Sequence, residues 1–191
     1  MSGSGHRPSP TGRRELILYA TPSGPLADQC DAYFDRLTSR LGATTAQTYP
    51  PHITLTGFFR RSAVQADEVI EEMAAQILTA GPVPPDAVKV VDLSADADWV
   101  GLSIDSAWLT ELTATIVEHH VLAVGDDALR PKDWLHVSLA YGDLGSQPSL
   151  EAHSALAREL IDPAAPVTWE VAIWERIAPD MDSRPALWQR H

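Results

Sequence analysis

The spacing of apolar residues switches along the chain between about two and about 3.6, and each switch marks an element. "ELILYA", residues 15–20, predicts a strand. Leu26, Cys30, Tyr33, Phe34, Leu37 and Leu41 then recur at helical spacing, and Gly42 closes the stripe. "HITLTGFF", residues 52–59, alternates and is rich in β-branched side chains, which predicts a second strand. Ser62 and Gln65 stand at capping-box spacing and open a helix. Its predicted buried face is Val69, Ile70, Met73 and Ile77, and Gly81 is its stop. "GPVPP", residues 81–85, is a short linker. "VKVVDLSADADWVGLSI", residues 88–104, reads as two strands around a polar turn at 94–98. Ser106 starts a helix with Leu109, Leu112, Thr113 and Ile116 inward. "WLHVSLAYG", residues 134–142, is a strand, and a helix from Ser149 follows until Pro163 ends it. "VTWEVAIWERIA", 167–178, and "ALWQR", 186–190, complete the pattern as strands.

The predicted order is β α β α β β α β α β β. From about residue 88 the second half loosely echoes the first. This predicts an α+β domain of two similar lobes, each with an antiparallel sheet covered by helices on one face. The 191 residues suffice for one substantial domain, placed at 14–191. Residues 1–13, rich in Ser, Gly and Pro, read as a disordered tail with no apolar signal region. No run reaches the ~18 apolar residues of a membrane span. The single cysteine, Cys30, lies in the first helical stripe and reads as core; it excludes an internal disulfide and fits a reducing, cytoplasmic setting.

Charge narrows the partners. The net charge is −12, from 26 acidic and 14 basic residues, so the surface repels a long polyanion. A small anion could still be held by local cations. Arg60 and Arg61 follow the second strand, and Arg130 and Lys132 precede the "WLHVSLAYG" strand; solvated surface charges are the plainer reading of all four.

Candidate chemistry sits in two stretches. In "YPPHITLTGFFRR", residues 49–61, alternation puts His52, Thr54, Thr56 and Phe58 on one face and Ile53, Leu55 and Phe59 on the other. In "DWLHVSLAYG", residues 133–142, His136, Ser138 and Ala140 share a face while Leu135, Val137, Leu139 and Tyr141 point inward. A His followed two residues later by Ser or Thr is weak alone; one such pair in each half is a stronger signal. Two imidazoles flanking one phosphate can deprotonate a water and protonate a leaving oxygen. Two hydroxyls can donate to the non-bridging oxygens, and no step calls for a metal.

"HITL" and "HVSL" resemble the paired H-x-T/S motifs of the 2H phosphoesterase superfamily, which includes the LigT-type RNA 2′,3′-cyclic phosphodiesterases and cyclic nucleotide phosphodiesterases. Together with "WEVAIWER", they look most like the 2H domain of the T-cell ubiquitin ligand proteins. The resemblance covers residues 15–190. It implies a bilobal fold with the motif strands meeting across a cleft, His52 and His136 as general acid and base, and Thr54 and Ser138 on the phosphate. It implies a monomer, no cofactor and no metal. The substrate would be a nucleoside or RNA-terminal 2′,3′-cyclic phosphate, with ADP-ribose 1″,2″-cyclic phosphate and 2′–5′ oligoadenylates as alternatives. Phe58, Tyr19 and Trp174 are candidates for stacking on a base, or else core, and Lys132 is a weaker candidate phosphate contact.

Two rivals are set aside and a third is kept. Adjacent His119 and His120 splay apart, unlike metal pairs spaced three or four apart on a helix. No G-x-S-x-G is present, and Ser138 lies within a strand, which disfavours a serine hydrolase. A non-catalytic nucleotide or RNA-end binding module is the alternative that stays open, and the presence of both His and both hydroxyls argues against it.

Overall fold

A computed structural model of the chain describes residues 12–96, 98–120, 128–141, 150–177 and 187–191. Residues 1–11 of the expected tail, the Ser149 start of a helix and the strand-end residues Ala178 and Ala186 lie outside them.

Eight strands form a single antiparallel sheet among the described residues: β1 (Arg13–Ser23), β2 (Ile53–Thr54), β3 (Phe59–Ser62), β4 (Lys89–Asp96), β5 (Trp99–Asp105), β6 (His136–Tyr141), β7 (Thr168–Ile177) and β8 (Leu187–Arg190). Their order is β4-β5-β6-β2-β1-β7-β8, with β3 also pairing β1. Four helices complete the domain: α1 (Pro25–Arg40), α2 (Ala63–Ala80), α3 (Ala107–His119) and α4 (Leu150–Leu160). The α+β class with antiparallel strands is as expected. The β4-β5-β6 half joins the rest where β2 and β6 pair at Ile53↔Val137.

The helix ends follow from local chemistry. Ser62 and Gln65 form the expected capping box of α2, satisfying N–H groups that a helix start leaves without partners. Gly81, at φ 79°, ends α2 in a conformation that suits glycine, its N–H bonded to the Ile77 and Leu78 carbonyls. Ser106 caps α3 through the Leu109 N–H at 3.1 Å.

The core lies on one face of the sheet. Leu16, Leu18, Ala20, Ile53, Leu55, Val100, Leu102, Val137 and Leu139 meet Leu26, Cys30, Tyr33 and Leu37 of α1 and Met73 of α2. Each such large apolar side chain contributes about 1.5–3 kcal/mol. On the helices, Leu109, Leu112, Thr113 and Ile116 are all buried as predicted, whereas on α2 Met73 is buried and Val69, Ile70 and Ile77 only partly so.

The single strand expected over 52–59 is broken. The chain leaves the ladder after Thr54 and returns at Phe59. The break turns Thr56 inward: it is fully buried, and its hydroxyl accepts the Leu18 N–H at 3.1 Å, so it does not share the exposed face of His52 and Thr54. The side chain thereby occupies a backbone donor that the irregular ladder would strand. Ala140 is also buried, and Tyr141, expected inside, is half-buried. β1 begins at Arg13, within the segment read as tail.

Candidate active site

The site lies on the sheet face opposite the core. Pairing of Ile53 with Val137 in antiparallel register sets His52 across from Ser138 and Thr54 across from His136. Neighbouring side chains of such pairs have Cβ atoms about 4.5–5.5 Å apart, so the four form a square with the imidazoles on one diagonal. The proximity is also electrostatic: the charge of His136 opposes protonation of His52. The structure thus brings together the four residues that the sequence placed in two strands more than 80 positions apart.

The two histidines are seated alike. His52 Nδ1 is 2.7 Å from the Pro50 carbonyl, and His136 Nδ1 is 3.3 Å from the Trp134 carbonyl. A carbonyl can only accept, so Nδ1 carries the proton and Nε2 is the nitrogen left for chemistry. His52 Nε2 lies 3.0 Å from Thr54 Oγ1, which therefore donates to it. Ser138 Oγ accepts the indole N–H of Trp99 at 3.0 Å.

Aromatic rings wall the square on both sides. The Tyr19 ring lies 3.8 Å from the His52 imidazole, Tyr49 lies 5.8 Å from it, and Trp188 packs 5.2 Å from Tyr49. Trp188 is fixed by its indole N–H on the Thr48 carbonyl at 3.1 Å. Across the site, Trp134 stacks on His136 at 3.9 Å, and Trp99 meets both edge-on. Phe58 is half-buried and stacks on Trp188 at 6.0 Å. Tyr19 is 1% exposed, so it forms the floor under His52 and not an open wall. Trp174 lies behind it, 6.3 Å away. Lys132 is exposed; its backbone N–H bonds Leu55 and its charge disfavours protonation of His136. Arg60 pairs with Glu15 and Arg61 lies over the Phe59 ring, so both contact other groups.

Trp99, Trp134, Tyr49 and Trp188 were not among the sequence candidates. Trp134 was within reach of the pattern, since it stands two before His136 on the same strand face. The other three depend on register between strands.

Burial, which penalises the imidazolium, pushes His52 down to about 4; the Pro50 hydrogen bond offsets part of this and His136 adds to it. His136 is also held below its ordinary value, by burial first. In both rings burial thus disfavours the charged form. A folded-state value below the unfolded one means that each contributes stability above about pH 6.5 that is lost as pH falls. Titration of the imidazole C2–H resonances should give His52 a midpoint near 4 and His136 one below the ordinary value of 6.5. Two midpoints at or above 6.5 would contradict this environment.

No family model matches the chain. It is 27% identical over 166 residues to an ecdysteroid-phosphate phosphatase of Bombyx mori, a match covering 85% of this chain and 24% of that protein. It is 28% identical over 172 residues to ubiquitin-associated and SH3 domain-containing protein B of Mus musculus and of Homo sapiens, covering 85% of this chain and 25% of theirs. The chain therefore spans about a quarter of the length of these curated relatives. Among the described residues, no helix is long and apolar enough to cross a membrane.

Proposed function

We propose that the chain is a 2H-type phosphoesterase that opens a cyclic phosphodiester, a nucleoside or RNA-terminal 2′,3′-cyclic phosphate, without a metal. The observation that carries this reading is the square of His52, Thr54, His136 and Ser138 on one sheet face. A tetrahedral phosphate over its centre meets an imidazole at each end of a diagonal. His52, which releases its proton more readily, takes the proton of the attacking water through Nε2. His136, protonated at Nε2, gives that proton to the departing ribose oxygen. As the P–O bond breaks, charge grows on the non-bridging oxygens, and the hydroxyls donate to them. The product is a phosphomonoester, and a second proton exchange with solvent resets the pair. The exposed Trp134 and the half-buried Phe58 are the rings available to a base.

Burial disfavours the imidazolium form of both histidines. The substrate's anionic phosphate raises the proton affinity of whichever imidazole it touches, so binding charges the acid. The kcat/KM profile, which reports the free enzyme, should be a bell peaking below pH 6.5, and the kcat profile should lie at higher pH.

The name of the Bombyx mori relative favours a second phosphoesterase reading, hydrolysis of a phosphate monoester. One assay separates the two. The four nucleoside 2′,3′-cyclic monophosphates and p-nitrophenyl phosphate are each incubated with the protein in EDTA. Turnover of the cyclic substrates that survives EDTA is expected. Turnover of the monoester alone would replace the first reading with the second.

A further inference from the structure

The two hydroxyls of the square are alike in sequence but are held differently. Thr54 donates its proton to His52 Nε2, so in the resting site that proton is occupied within the protein. Ser138 is an acceptor: the Trp99 indole, which can only donate, fills one lone pair of Oγ. No other protein atom among the described residues takes the serine proton. The O–H of Ser138 is therefore turned away from Trp99.

The indole is held for this contact. Trp99 stands two residues before Gly101 on β5, so its ring lies over the bare Cα of that glycine. A Cβ on Gly101 would come within 2.4 Å of Trp99 Cζ2 and 2.2 Å of the Val137 carbonyl oxygen. Only glycine leaves room for the ring to lie flat there. Trp134, at 4.8 Å, and His136, at 5.4 Å and 90°, close the remaining sides.

We infer that Trp99 is a positioning residue for phosphoester cleavage: its N–H locks Ser138 Oγ as an acceptor and so aims the Ser138 O–H at a non-bridging phosphate oxygen. Ser138 is then the donor ready before substrate arrives, and Thr54 serves His52 first. This rests on the phosphoesterase reading above for its chemistry, but not for the hydrogen bond itself.

The test is a double-mutant cycle. Trp99→Phe keeps a ring over Gly101 and deletes the N–H. With a 2′,3′-cyclic nucleotide, kcat should fall about 10-fold with KM within about twofold, because only the orientation of a transition-state donor is lost. Ser138→Ala should lower kcat about 100-fold, and adding Trp99→Phe to it should change nothing more. In a Thr54→Ala background the full effect of Trp99→Phe should persist. A merely structural role would cost the same in all backgrounds, and that result overturns the inference. A second measurement does not depend on turnover or on the Trp99 variant folding. Exchange of the Trp99 indole proton with solvent, followed by NMR, should be about 10 times faster in Ser138→Ala than in the wild type. Unchanged exchange overturns the inference. If the wild type cleaves no phosphoester while exchange responds as expected, the function reading fails and the positioning contact stands.

Discussion

Replacing His52 or His136 by Ala is expected to lower kcat/KM for a 2′,3′-cyclic nucleotide by about 10²–10⁴-fold in each case, the range for losing a general acid or base. The double variant should fall little further than the worse single one, because the two groups act on one transition state and are not additive. Both side chains stand on the sheet face opposite the core, and among the described residues each ring bonds the backbone through Nδ1. Circular dichroism and thermal melting should therefore stay close to wild type. The residual activities carry more information than their size. With His136 absent, the alkaline limb of the kcat/KM bell should vanish; with His52 absent, the acid limb should. Disappearance of the opposite limb in each variant would exchange the roles of the two residues. Loss of activity in one variant alone would refute the paired mechanism.

Most elements of this fold were legible because their signals are local. The Ser62 cap, the Gly81 stop and the inward Leu109, Leu112, Thr113 and Ile116 were each readable within a few residues. The faces of β6 were also legible as far as Leu139; there the β5–β6 register shifts between Val100↔Ala140 and Gly101↔Ser138, and Leu139 and Ala140 are both buried. The first motif strand was not, beyond Thr54. Thr56 has the alternation of an exposed strand residue, but its hydroxyl bonds the Leu18 N–H 38 positions earlier. Nothing near Thr56 in sequence announces that partner. The same holds for the aromatic walls. Trp188 reaches the site only because β8 pairs with β7 and β7 with β1, and Trp99 only through the β5–β6 register. Side-chain period tells which face a residue takes; it cannot tell which strand lies alongside. Tyr19 illustrates the cost: its pairing with Thr54 puts it beneath His52, where its ring is closed off from solvent.

The largest stability effect should come from Arg14, at the far end of the strand that carries Tyr19. The Arg14 guanidinium bonds the Glu175 carboxylate through Nε and Nη2, each at 2.8 Å, and also pairs with Asp67 of α2. Glu175 is 3% exposed, and His191 Nε2 is a further partner at 3.1 Å. Burial alone would raise the Glu175 pKa, but the Arg14 hydrogen bonds and charge, with those of His191, outweigh it and hold the carboxylate below its ordinary value. Arg14→Met removes most of that compensation and leaves a charge in the core, which costs about 3–5 kcal/mol in buried pairs. Because His191 remains, about 3 kcal/mol is expected, a fall in Tm of roughly 6–12 °C for a domain of this size. The sign with pH follows from the lowered pKa. The contribution of Glu175 is present above the ordinary carboxylate value of about 4.3 and is lost as pH falls through its folded value. In Arg14→Met the loss should begin at higher pH. Adding Glu175→Gln to Arg14→Met removes the stranded charge and should restore part of the stability. A melting temperature within about 2 °C of wild type for Arg14→Met would show that the pair contributes little net stability and that Asp67 and His191 serve Glu175 and Arg14 well enough apart. A fall that Glu175→Gln does not reverse would assign the cost to lost packing between β1, β7 and α2 rather than to charge.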